Sequence, residues 1–202
     1  MHQKTSNIIQ DMASDLWGSA NIHFLSLFKM YDNYTCAVIP GHQAWTDYFI
    51  KHHFTHENMY SRNAIGLHRW QQAKSRDLVK AAHHASMHFH ITGLLDVVKL
   101  SMHEVGCYDI YTFGVDRCNS VYVDDVYKKH HQQLLSFIPQ FEAQAKKIIL
   151  EQSHPDNRIT IKFRKFVDRY SHAEYWGENW EHINSRLGNE AHLFPAKFPV
   201  RD

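Results

Sequence analysis

The sequence predicts an α/β sandwich, an antiparallel sheet flanked on its faces by helices. Three observations predict it. Two pairs of apolar runs are each joined by a short polar connector, the pattern of a β-hairpin. Segments with helical spacing stand before, between and after those hairpins. The chain has 202 residues, 44% of them hydrophobic, which suffices for a domain with a substantial interior.

Residues 5–17 place Ile8, Ile9, Met12, Leu16 and Trp17 at helical spacing, with Thr5 or Ser6 as the candidate N-cap. IHFLSLFKM (22–30) and TCAVIP (35–40) flank a turn at Asp32-Asn33 and read as the first hairpin. Pro40-Gly41 ends that strand, and 42–53 reads as a helix. Residues 54–72 have no clean period and read as loop. A helix over 73–88 has Leu78, Val79, Ala82 and Met87 as its inward positions. LLDVVKLSM (94–102) and CYDIYTFGV (107–115) form the second hairpin around the connector 103–106.

The longest helical pattern covers 120–152. Its stripe is Val126, Leu134, Ile138, Phe141, Ala145 and Ile148, and Pro139 should bend or break it. His154 to Asn157 is a break, and ITIKFRKFV after it reads as strand or helix. Tyr175, Trp176, Trp180 and Ile183 then recur at roughly helical spacing. The expected division is a domain over 1–157 and an extension over 158–202.

Lys+Arg is 22 and Asp+Glu is 21, so the net charge is near zero and gives no electrostatic footprint for nucleic acid. No apolar run approaches the ~20 residues of a membrane helix, and the first residues lack a signal-peptide pattern. Cys36, Cys107 and Cys118 form no CxxC pair, which fits free thiols in a reducing cytoplasm. There is no GxSxG, no P-loop and no GxGxxG, so no enzyme chemistry is indicated. Histidine is abundant at 18 residues, and His52/His56 and His84/His88 are spaced as helical metal-ligand pairs. The glutamate that would follow the first histidine of a metalloprotease motif is missing, and no metal or other cofactor is expected.

The segment from Ile39 to Trp70 gathers Trp45, Tyr48, Phe49 and Trp70, which can wall a small-molecule pocket or close an ordinary interior. Asp96 and Thr112, on the second hairpin, are weaker pocket candidates that as strand positions would ordinarily face solvent.

The order of helices and hairpins is shared with PAS- and GAF-like sensor domains. Three stretches resemble the N-terminal signal-binding domain of LuxR-type transcriptional regulators over roughly residues 5–150. They are IHFLSLFKMYDNYTCAVIP, AWTDYFIKHHFTHENM and the run from CYDIYTFGVDRC through the long helix to Ile149. The resemblance implies a cytoplasmic sensor whose small, mostly apolar ligand shifts dimerisation or the pairing of DNA-binding domains. In acyl-homoserine-lactone receptors of this family a Trp and a nearby Tyr precede an Asp-Pro pair and a later Trp. Trp45 matches the first Trp, Tyr48 or Phe49 stands near the Tyr, and Trp70 corresponds to the later Trp. Asn58 and Met59 replace Asp-Pro, so lactones are expected to bind weakly, because Asn58 accepts without charge assistance.

The family's helix-turn-helix has no counterpart in 158–202, so specific DNA binding by these residues is not expected. A homodimer is expected, with part of the 120–152 stripe on the sheet and the remainder against a second copy. Two alternatives remain open: a stand-alone protein that pairs with and inhibits a full-length regulator, and a histidine-dependent metalloenzyme.

Overall fold

A computed structural model describes residues 2–31, 33, 35–52, 66–70, 76–102, 104–116 and 123–160. Its first hairpin is β1 (Ile22–Tyr31) and β2 (Thr35–Ile39). The Asn33 side chain shapes the turn by accepting from the Thr35 N–H and hydroxyl. The second hairpin is β4 (Ile91–Leu100) and β5 (Cys107–Asp116). With β3 (Gly66–Arg69) and β6 (Ile159–Thr160) these strands form a six-stranded antiparallel sheet in the order β3-β4-β5-β1-β2-β6. The α/β sandwich read from the sequence is the fold found.

Among the described residues five α-helices cover the sheet: α1 (His2–Met12), α2 (Ser14–Ala20), α3 (Gln43–His52), α4 (Arg76–Phe89) and α5 (Val123–Gln152). Side chains alternate along each strand, so the sheet builds two apolar layers. One layer joins Leu25, Leu27, Val97, Tyr111 and Phe113 to Ile9, Leu16, Leu134, Ile138 and Phe141 of α1, α2 and α5. The other joins Phe24, Phe28, Leu94, Val98 and Ile110 to Trp45, Phe49, Leu78, Ala81 and Ala85 of α3 and α4. We call these the α5 face and the α3/α4 face.

Several sequence expectations are corrected. The single helix over 5–17 is two helices parted at Ala13, and it begins before the expected caps. Ser6 lies within α1, and its hydroxyl donates instead to the Gly41 carbonyl at 2.8 Å. The side-chain amide of Gln10 donates to the same oxygen. Only glycine fits at that corner, since a Cβ on Gly41 would lie 1.5 Å from the Leu25 carbonyl oxygen. Within the expected loop 54–72 lies strand β3, whose four residues GLHR are too short and too mixed to show a period. In α4 the expected inward Val79 and Met87 are 38% and 46% exposed, and Ala81 and Ala85 point inward in their place.

Helix α5 is not broken at Pro139. Proline forfeits one backbone bond and costs about 3 kcal/mol in a helix interior. Here it sits on the exposed side, while Phe137, Ile138 and Phe141 around it are buried against the sheet and outweigh that cost. Leu134, Ile138, Phe141 and Ala145 of the predicted stripe are buried in the α5-face layer, with Val126 and Ile148 packed against it. Arg158, Ile159 and Thr160, the first residues of the expected extension, lie on the sheet edge, where β6 pairs with β2. Residues 161–202, including the Tyr175/Trp176/Trp180 group, lie outside the described residues.

Candidate functional site

The register of the strands sets a polar row across the α3/α4 face. His68 on β3 is opposite Asp96 on β4, Asp96 is opposite Thr112 on β5, and Thr112 is opposite Ser26 on β1. Phe24, Phe28, Leu94, Val98 and Ile110 flank this row with apolar surface. Asp96 and Thr112, the weaker pocket candidates at strand positions that would ordinarily face solvent, are each only 1% exposed. The correction has a simple cause: helices cover both faces of the sheet, so neither side of a central strand reaches water.

The Thr112 hydroxyl donates to Asp96 Oδ1 at 2.6 Å. Burial pushes the Asp96 carboxyl up to about 7, against the pull of the Thr112 hydroxyl and the Trp70 indole N–H. Trp70 therefore lies close enough to act on the carboxylate, yet the two form no hydrogen bond of normal geometry. Among the described residues Asp96 Oδ2 and Trp70 Nε1 are both buried without a hydrogen-bond partner, as is Thr46 Oγ1 on α3. Orphaned buried polar atoms are costly, at about 1–3 kcal/mol each.

Aromatic rings close over this row. Trp45 and Phe49 project from α3 onto Trp70, with ring centroids 6.3 and 5.1 Å away, and Phe49 meets Phe28 of the sheet edge-on at 6.0 Å. Trp45, Phe49 and Trp70 are thus in mutual contact and nearly fully buried. Tyr48 takes a different direction. It stacks on Trp45 at 6.0 Å and packs between His52 and His84 at 4.5 and 3.7 Å, in the seam between α3 and α4. Asn58 lies outside the described residues.

His84 and His88 approach to 4.3 Å between ring centroids. The His84 imidazole is held below its ordinary pKa by burial and then by the neighbouring His88, His52 and His83. Among the described residues no group of three or more His, Cys, Asp or Glu side chains is arranged to hold a metal ion.

The α5 face has a polar cluster of its own, at the end of the sheet nearest Glu104. Lys29 Nζ donates to Asp109 Oδ1 at 2.7 Å and to Ser101 Oγ at 3.1 Å, and lies 3.2 Å from Glu104. Burial disfavours the Lys29 ammonium, but Asp109, Cys107 and Glu104 together hold its pKa well above the ordinary lysine range. Burial also pushes Asp109 up, with Lys29 pulling it back. Taken singly, the two trends conflict; the 2.7 Å contact makes the charged pair the state to expect, since each ion removes the other's penalty. Beside them Lys99 pairs with Glu142 of α5 at 2.8 Å, and the Tyr111 hydroxyl donates to Glu142. The Arg158 guanidinium lies 3.5 Å above the Tyr31 ring.

Sequence reasoning missed His68 and Ser26. His68 was hidden because β3 itself was missed. Ser26 had a signal, being the one small polar residue inside the apolar run IHFLSLFKM. No family model and no curated protein matches the chain.

Proposed function

We propose that the chain is a small-molecule-sensing domain of the LuxR type, with a PAS/GAF-like sandwich and a cytoplasmic role. Its ligand lies on the polar row of the α3/α4 face, beneath Trp45 and Phe49. One observation carries this reading: Asp96 Oδ2 and Trp70 Nε1, an acceptor and a donor, are buried side by side with no partner among the described residues. The order of helices and hairpins supports the family resemblance. No step of covalent chemistry is involved. The rings of Trp45, Phe49 and Trp70 are in mutual contact, so a ligand entering beneath them displaces α3 and shifts the balance between two arrangements of this helix.

A homodimer belongs to the same reading. The buried part of the α5 stripe is spent on the sheet, so the partner copy uses other surface. DNA binding would come from a helix-turn-helix domain elsewhere in a regulator.

The test is a metabolite screen read by thermal shift and intrinsic tryptophan fluorescence. A true ligand raises the midpoint in proportion to its saturation. Its effect should shrink in Trp70→Phe, which keeps the ring and loses the N–H. A screen with no hit, or hits indifferent to both Trp70→Phe and Asp96→Asn, defeats the reading.

A further inference from the structure

The two buried polar clusters differ in one respect. On the α5 face, among the described residues, the buried Asp109 has Lys29 at 2.7 Å and the half-buried Glu142 has Lys99 at 2.8 Å. On the α3/α4 face Asp96 is equally buried; the groups that shift it among the described residues are the neutral side chains of Thr112 and Trp70, with the His68 imidazole at the cross-strand position opposite it and no lysine or arginine paired with it there. A buried carboxylate without a counter-ion is expensive to keep charged. We propose that the counter-ion is supplied by the ligand: the site takes a small organic ammonium ion with an apolar body, whose N–H donates to Asp96 Oδ2.

The surroundings suit that class of molecule. Thr112 already occupies Oδ1 and leaves Oδ2 as the open acceptor. Trp70, which acts on Asp96, is in contact with Phe49 and Trp45, and aromatic rings of this kind attract a cation with their faces while their area receives an apolar chain. The raised pKa of Asp96 fits a group that is readily neutral when the site is empty and becomes fixed as the anion when an ammonium arrives.

This inference rests on the sensor reading and is tested separately from it. 2-Phenylethylamine, its neutral isostere 2-phenylethanol and the neutral amide N-(2-phenylethyl)acetamide are titrated against the full chain at pH 7, by calorimetry and tryptophan fluorescence. The amine should bind about ten-fold or more tighter than the alcohol, the size of one charge-assisted hydrogen bond. In Asp96→Asn that preference should fall to about two-fold or less. The wild-type ratio decides the matter by itself if Asp96→Asn does not fold. Equal or tighter binding of the alcohol or the amide overturns the proposal. A metabolite screen that yields only neutral ligands overturns it too and leaves the sensor reading standing, while an empty screen ends both.

Discussion

On the face under α5, Lys29 and Lys99 lie 2.7 and 2.8 Å from carboxylates, whereas on the face under α3 and α4 the groups acting on the Asp96 carboxylate among the described residues are a hydroxyl and an indole. The same strands supply both sets. Asp109 and Thr112 belong to β5, and Asp96 and Lys99 to β4, so alternate positions of one strand carry a satisfied ion pair on one side and an unsatisfied acid on the other. The difference separates two uses of buried charge. A paired ion fixes the register of the fold and tolerates no loss of either member. An unpaired one lowers stability unless a counter-charge completes it.

The comparison breaks most sharply at Lys29. Lys29→Met leaves Asp109 buried without its cation and should cost about 3–5 kcal/mol in chemical denaturation. Adding Asp109→Leu should recover most of that loss, and a double variant no more stable than the single one would show that the pair does not act as a unit. Asp96→Asn should do the opposite. The folded-state pKa of Asp96 is raised, to about 7, so the protonated acid favours the fold at low pH and that advantage is lost as pH climbs through about 4 to 7. The variant should therefore be more stable than wild type by about 1–3 kcal/mol at pH 8 and show no gain at pH 4, compared by urea midpoints. A loss at pH 8 would place a hidden counter-ion beside Asp96.

Thr112→Val sharpens the same point with a smaller effect. It removes the Thr112 hydrogen bond to Asp96 and should cost about 1 kcal/mol at pH 8 and less at pH 4, where the acid is neutral in the fold. The smallest change should come on the outer side of α4. Val79→Lys and Met87→Lys replace exposed apolar residues and should each move stability by less than about 0.5 kcal/mol. A larger loss in light-scattering mass than in stability would reveal that the dimer uses this surface.

Both hairpins and the long helix were legible because their apolar runs are long and their turn chemistry is local. Pro139 was expected to bend or break the helix, and it does not break it because three aromatic and aliphatic neighbours are seated on the sheet. Val79 and Met87 were misread because alanines, with little side chain to weigh, form the inward face of α4 where it meets the sheet. Trp45, Phe49 and Trp70 were legible as a cluster. Tyr48 was legible as a neighbour, but its direction toward His84 depends on how two helices pack. The row through Asp96 was half visible. A single acid inside LLDVVKL implied a special position only for a strand covered on both sides, and that cover comes from helices distant in sequence.

Strand β1 lies between β2, its hairpin partner, and β5, which pairs with it from Ile22 to Tyr31 and comes about 80 residues later in the chain. During synthesis β1 gains β2 at once, but its other edge stays open until the second hairpin has been made. At about 5–20 residues per second that interval lasts several seconds. Throughout it an edge reading IHFLSLFKMY is unprotected, with Lys29 as its one charged residue. The ion that later anchors the α5 face is thus also the gatekeeper of the nascent strand. Lys29→Met would then reduce the yield of folded protein in the cell by more than its loss of equilibrium stability accounts for.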